Sequence, residues 1–131
     1  MEIAFLLFDG ITPLDAIGPF EVLGKLPGAR IKMVGKTKGE IPTRGQSLAM
    51  IADYALAEVS EPDILLIPGG PGADALAEDS AVTDWVAKAH ETTTWTTSVC
   101  SGALILGGQG FEGDNPLTCY EGSGRFRRHA Q

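Results

Sequence analysis

The middle of the chain carries a distinctive segment at residues 63–72, which reads Asp-Ile-Leu-Leu-Ile-Pro-Gly-Gly-Pro-Gly. A continuous apolar run that ends at proline and glycine is typical of a short strand buried on both faces of a sheet. Two other segments have a similar form. The apolar run Ile3–Phe8 stops at Asp9-Gly10, and Thr93–Val99, which is rich in β-branched residues, leads into a small-residue turn. We predict a strand at each of these three places.

The segments around these strands have the spacing of helices. Apolar residues recur at helical intervals over Leu14–Leu26, which ends at Pro-Gly, and Ile31–Val34 resembles a further strand. We also predict helices at Ala73–Ala77, Ser80–His90 and Ser101–Leu106. Strands that alternate with helices predict an α/β fold: a flavodoxin-like three-layer sandwich, with a mainly parallel sheet and helices on both faces.

The pattern is weaker between residues 36 and 56. Lys36–Thr43 is polar and rich in turn formers, which indicates a loop. Leu48–Ile51 and Tyr54–Leu56 are each consistent with a short strand, and we expect them to form separate strands or an edge hairpin.

Composition limits the classes of function. The chain has 131 residues, near the usual length of a single domain, and we predict one domain over residues 1–131. A formal net charge of −7 repels phosphate backbones, so we expect no sequence-independent binding of nucleic acid. We see no signal peptide and no run long enough to cross a bilayer, which predicts a cytoplasmic protein with reduced thiols and no membrane partner. The two histidines and two cysteines lack metal-ligand spacing, and we predict neither a metal nor a cofactor.

A candidate nucleophile lies in the segment Ser98-Val99-Cys100-Ser101-Gly102. A predicted strand runs directly into the cysteine, and small residues then open a helix, as in a nucleophile elbow. A thiol at a helix N-terminus is exposed to the helix dipole and to N–H groups that favour the thiolate. The alternative is a buried structural cysteine that packs as a small apolar side chain. The flanking small residues favour the reactive interpretation.

Two further segments end at the same predicted edge of the sheet. The glycines after Ile67 can present backbone N–H groups to a developing negative charge, although a plain tight turn has the same sequence. Asp15, in an apolar setting at residues 12–19, is a candidate proton carrier. An acid near a helix N-terminus can instead interact with the dipole, and the residues alone slightly favour that interpretation. Ligands bind at this edge in parallel sheets, so the convergence of the three segments predicts a site there.

Residues 8–19, 67–72 and 97–102 together resemble the ThiJ/PfpI superfamily, also called glutamine-amidotransferase-like class I, over residues 1–113. The acid in Leu-Asp-x-x-Gly-Pro form is most similar to the isonitrile hydratase branch. This resemblance implies that Cys100 attacks an isonitrile carbon while Asp15 handles protons, and that an N-substituted formamide is released. It also implies a small-molecule substrate and a homodimer. The remaining predicted site residues are Ser101, beside the nucleophile, and the oxyanion or substrate-binding glycines Gly69, Gly70 and Gly102, with the N–H groups of Gly70 and Ser101 implied to stabilise the intermediate.

The chain departs from the family pattern after residue 113. The segment Gly-Asp-Asn-Pro-Leu-Thr-Cys-Tyr at 113–120 stands where the family has Gly-(basic)-x-Ala-Thr-Thr-His-Trp, so Cys119 takes the place of a histidine. Residues 114–131 form a divergent tail, and we expect a truncated or frame-shifted homologue. Two alternatives therefore stay open. One is glyoxalase, deglycase or amidase chemistry, and the other is a binding or redox-sensing module in which Cys119 pairs with Cys100.

Overall fold

A computed structural model describes residues 1–45 and 47–107. Its main sheet has five parallel strands in the order β5-β2-β1-β6-β7, and a separate hairpin joins β3 to β4. The strands are β1 (Glu2–Leu6), β2 (Arg30–Gly35), β3 (Gly39–Pro42), β4 (Ala49–Ala52), β5 (Tyr54–Ala55), β6 (Ile64–Ile67) and β7 (Trp95–Ser98). The helices are α1 (Pro13–Leu23), α2 (Ala73–Ala77), α3 (Ser80–His90) and α4 (Ala103–Gly107), with 3₁₀ turns at Leu56–Glu58 and Cys100–Gly102.

The central strand β1 shows why the sheet is buried on both faces. Ile3 aligns with Ile31 of β2 on one side and with Ile64 of β6 on the other. Residues 3–6 of β1 are fully buried, and successive side chains of a strand point to opposite faces. Both faces are therefore covered, which confirms the predicted α/β fold with a mainly parallel sheet.

The prediction for residues 36–56 is wrong in one respect. Lys36–Thr43, predicted as a loop, contains β3, which pairs antiparallel with β4. Ile41 is buried while Glu40 and Pro42 on either side are exposed, so a period of two residues was hidden among the turn formers. The residues at 54–55 do not join this hairpin, because β5 instead pairs parallel with β2 at the edge of the main sheet.

Other differences concern the ends of elements. The helix predicted to run to Leu26 ends at Leu23, where the chain turns and the N–H of Leu26 donates to the carbonyl of Leu23. The helix predicted from Ser101 begins at Ala103, after the 3₁₀ turn. In the part of the chain that the structure describes, no helix has both the length and the apolar character needed to cross a membrane. The predicted single domain over residues 1–131 stays a prediction, because its tail lies outside the described residues.

Candidate active site

The turn after β7 has the geometry of a nucleophile elbow. Cys100 has a φ of 53°, and within residues 1–45 and 47–107 no other residue except glycine has a positive φ. For a non-glycine residue this left-handed conformation costs about 1–2 kcal/mol. Strained backbone of this kind concentrates at functional sites. The turn thus places the exposed Cys100 at the end of the partly buried edge strand β7, at the start of the 3₁₀ turn that leads into α4.

Backbone contacts hold this turn tightly. The N–H of Val99 donates to the carbonyl of Ile67 at 2.9 Å, and the N–H of Gly102 donates to the carbonyl of Val99 at 3.0 Å. A Cβ on Gly102 would collide with the carbonyl oxygen of Ile67. Glycine is therefore required at position 102 because the helix start passes directly over the end of β6.

Gly69 is the point at which the three predicted segments meet. Its N–H donates to the Oδ2 atom of Asp15 at 3.2 Å, and its carbonyl accepts the N–H of Thr12 at 2.9 Å. A Cβ built on Gly69 would lie 2.7 Å from the backbone nitrogen of Ser101 and 2.9 Å from the Cβ of Cys100. The candidate acid and the candidate nucleophile thus lie on either side of one glycine, at the carboxyl end of β6.

Ser101 links the elbow to the next glycine. The N–H of Gly70 donates to the Oγ atom of Ser101 at 3.0 Å, and that hydroxyl lies 3.3 Å from the carbonyl oxygen of Gly70. Gly70 has a φ of 144°, and a Cβ there would collide with the carbonyl oxygen of Gly10. A side chain at position 70 is thus excluded by both conformation and space.

The structure brings five of the six predicted site residues together around Gly69 and Gly70. Gly102 stands apart in its role, because its N–H is used inside the turn, whereas the N–H groups of Gly69 and Gly70 face the side chains of Asp15 and Ser101. The assignment of these residues as catalytic or substrate-binding stays a prediction.

Sequence reasoning did not identify the contacts by which the loop after β1 supports the glycine loop. The loop after β1 donates the N–H of Thr12 to Gly69, and the carbonyl of Gly10 accepts the N–H of Gly72 at 3.4 Å. Gly10 has a φ of 81°, and a Cβ on Gly72 would collide with the carbonyl oxygen of Asp9. The available signal was the pair of glycines at 10 and 72, which mark two backbones in close approach.

Two cavities flank this cluster of loops. One, of about 280 Å³, lies beside the loop after β1 and is lined in part by Asp9, Lys36 and Gly72. The other, of about 410 Å³, lies between the start of α1 and the β3–β4 hairpin and is lined in part by Thr12 and Arg44. Cys100 lines neither of them. No three His, Cys, Asp or Glu side chains of the described residues cluster as metal ligands would.

The sheet is flavodoxin-like, one of its strands ends at a cysteine in an elbow turn, and a glycine loop lies beside that turn. These features place the chain among α/β proteins with a nucleophile elbow. The DJ-1/PfpI family model matches residues 1–125. The chain therefore belongs to the DJ-1/PfpI family, as its resemblance to the ThiJ/PfpI superfamily predicted.

Three relatives show how far the likeness extends. An isonitrile hydratase from Pseudomonas putida is 32% identical over 110 residues, which is 84% of this chain and 48% of the hydratase. A crystal structure of a ThiJ/PfpI family protein from Pseudomonas syringae superposes with a TM-score of 0.79 at 33% identity, over 83% of this chain and 46% of that one. An HTH-type transcriptional regulator from Mycobacterium tuberculosis is 35% identical over 54 residues, which is 41% of this chain and 21% of the regulator. The chain thus spans about half the length of the hydratase, and less of the regulator.

Proposed function

We propose that this protein is a cysteine-dependent hydratase or hydrolase of a small molecule, and that it hydrates an isonitrile to an N-substituted formamide. The observation that carries this proposal is the meeting of Asp15, Cys100 and Ser101 around Gly69. Similarity to an isonitrile hydratase supports the choice of substrate class.

In the first step the thiolate of Cys100 adds to the terminal carbon of the isonitrile. This forms a carbon–sulfur bond and leaves a lone pair on that carbon, which takes a proton to give a thioimidate. The exposed position of Cys100 on the elbow suits attack on a small electrophile, because the sulfur is presented above the end of the sheet.

In the second step water adds to the thioimidate carbon while the imine nitrogen takes a proton. Loss of one hydroxyl proton and breakage of the carbon–sulfur bond then release the formamide and regenerate the thiolate. The sum is isonitrile plus water to formamide, without any oxidant or reductant. Asp15 is proposed to carry the protons, because its carboxylate lies against Gly69, within the same cluster as the nucleophile.

The backbone is proposed to stabilise the charge that develops on the intermediate. The N–H of Gly70 points to the Oγ of Ser101, and the nitrogen of Ser101 lies close to Gly69. Fixed N–H groups of this kind are effective because they need no reorganisation during the reaction. Gly69 and Gly102 are proposed to serve the site by letting the elbow pack closely against the end of β6, because a Cβ at either position would be too close to neighbouring backbone.

The experiment is to supply a simple alkyl isonitrile and to follow the formamide proton by NMR. Cys100→Ser is expected to lower the rate by about 10³-fold, because the hydroxyl is a far weaker nucleophile. Asp15→Asn is expected to lower it by about 10²-fold. Asp74→Asn removes an exposed carboxylate from α2 and is the matched control, which should keep the wild-type rate. The proposal is wrong if the wild-type chain forms no formamide, or if Cys100→Ser forms it equally fast.

A second candidate is a binding or redox-sensing module. Similarity over 54 residues to a transcriptional regulator favours it, because such a protein need not use its cysteine catalytically. Oxidation by peroxide that links Cys100 to Cys119, detected by mass spectrometry, would support the sensing alternative. Glyoxalase, deglycase or amidase activity is the remaining enzymatic alternative, and the same NMR assay with an aldehyde or amide substrate tests it.

A homodimer in the cytoplasm is also proposed. Exposed apolar side chains on α1 support self-association, namely Leu14, Ile17, Phe20 and Val22. Light scattering should give twice the chain mass, and Ile17→Glu should return the monomer mass.

A further inference from the structure

The cavity of about 280 Å³ beside the loop after β1 combines buried apolar walls with charged groups. Its apolar lining includes Leu7, Phe8, Ile41 and Val82, which are all nearly or fully buried. These side chains belong to β3, α3 and the segment that follows β1, so the cavity is formed where separate elements meet. Apolar walls with a few polar groups at fixed positions are the usual composition of a small-molecule site.

The charges around the cavity are unequal. Lys36 and Asp79 form an ion pair with an Nζ–Oδ2 distance of 2.7 Å, so these two charges largely neutralise each other. The other carboxylate oxygen of Asp79 accepts the N–H of Ala81 at the start of α3. Within residues 1–45 and 47–107, no side-chain hydrogen bond or ion pair engages the carboxylate of Asp9, which also lines the cavity. One negative charge is therefore left to interact with a ligand.

We propose that this cavity binds a small primary ammonium ion that carries a compact apolar body. The ammonium group would interact with the exposed Asp9 carboxylate, and the hydrocarbon would pack against Phe8, Ile41 and the partly exposed Leu76. The net charge of −7 further favours a cation over an anion. The size of the cavity suits a ligand of few atoms, since it lies just below the range of about 300–1,000 Å³ typical of drug-sized ligands.

The test is an NMR titration of the full chain with three probes of nearly equal shape at pH 7. These probes are 3-methylbutylammonium, 3-methylbutanol and 3-methylbutanoate, which differ in charge at one end. The ammonium probe is expected to shift the methyl signals of Ile41 and Leu76, and to bind about fivefold more tightly than the alcohol, as an exposed charge pair predicts. No isonitrile is present, so the outcome is independent of the proposed reaction at Cys100.

Two variants sharpen this test. Asp9→Asn should weaken binding of the ammonium probe about fivefold without changing binding of the alcohol, whereas Glu21→Gln on α1 should change neither. Ala75→Phe, which places a ring in the cavity, should abolish binding of both probes while Asp9→Asn reports separately on charge. Equal affinity for all three probes, methyl shifts outside this cavity, no shifts at all, or full affinity in Asp9→Asn would each overturn the proposal.

Discussion

The loop cluster around Gly69 and the β3–β4 hairpin lie at the same end of the sheet but are stabilised in opposite ways. In the loop cluster, backbones approach so closely that several glycines could not carry a Cβ without colliding with a carbonyl group. The hairpin instead packs the buried side chains of Ile41 and Ala52 against the core and leaves Ile51 and Leu48 about half exposed. The first region depends on exclusion of side chains, and the second depends on burial of a few.

This difference predicts where substitutions should matter. A close-packed backbone cannot yield to an added methyl group, because no flexible side chain is available to move. A hairpin surface can accept polar or smaller residues, because solvent replaces what is lost. We therefore expect the loop cluster to be intolerant at nearly every position and the hairpin to be intolerant mainly at Ile41.

The largest effect is expected at Gly72. A methyl group there would collide with the carbonyl of Asp9, so Gly72→Ala should lower the free energy of unfolding by about 3 kcal/mol. The matched control is Gly45→Ala, where the added Cβ would make only an ordinary contact of 3.8 Å with the Oγ atom of Ser47 beyond its chain neighbours. It should change the free energy of unfolding by less than about 0.5 kcal/mol because the position is exposed. Urea denaturation of the two variants measures both free energies of unfolding. Equal stabilities would contradict the expected intolerance of the loop cluster.

The hairpin should show a large effect at only one of its two isoleucines. Ile41→Ala removes a buried side chain and should cost about 2–3 kcal/mol, whereas Ile51→Ala removes one that is 52% exposed and should cost under about 0.5 kcal/mol. Thermal unfolding followed by circular dichroism compares the two. Similar losses at both positions would mean that the outer face of the hairpin is covered.

Because the backbone at Cys100 is strained, replacing this residue with glycine should give a more stable protein than replacing it with alanine. Cys100→Gly relieves the positive φ, whereas Cys100→Ala keeps it, so the glycine variant should be about 1 kcal/mol more stable than the alanine variant. Chemical denaturation measures the difference, which depends on backbone conformation because both variants lack sulfur. An alanine variant that equals or exceeds the glycine variant would show that position 100 is unstrained.

The smallest expected effect depends on pH and concerns the ion pair beside the hairpin. The backbone N–H of Ala55, followed by Lys38, lowers the pKa of Glu58 from its ordinary value of 4.5. A lowered pKa means that the folded state favours the carboxylate, so this contribution is present above about pH 4.5 and is lost as the pH falls below it. The difference in unfolding free energy between wild type and Glu58→Gln should be small at pH 7 and should vanish near pH 3. Glu61→Gln, an exposed control, should show no such trend.

Much of the fold could be predicted from the sequence because its signals are local. The buried strands β1 and β6 are continuous apolar runs, and the glycines and the cysteine that follow the strands mark the edge at which they converge. The strand β3 could not be predicted in the same way, since Ile41 is its single buried residue and lies between exposed neighbours. The pairing of β5 with β2 is also non-local, and a strand of two residues is too short to show a hydrophobic pattern.

The same distinction between local and non-local signals applies to the candidate site. Cys100, the glycine loop and the convergence of the three segments were predicted from the residues, whereas the proton-carrying role of Asp15 was implied mainly by the family resemblance. That Gly69 is the common neighbour of Asp15, Cys100 and Ser101, and that the loop after β1 supports it, depends on contacts between distant segments of the chain. Such contacts follow only from the assembled sheet.

The most direct test of the account is the rate at which iodoacetamide labels Cys100 between pH 5 and 9, compared between wild type and Asp15→Asn, with mass spectrometry to separate Cys100 from Cys119. An assembled site predicts faster labelling at Cys100 than at Cys119, and a changed rate at Cys100 in Asp15→Asn. Equal labelling of both cysteines, or an unchanged rate at Cys100 in Asp15→Asn, would contradict a site in which Asp15 and Cys100 act together.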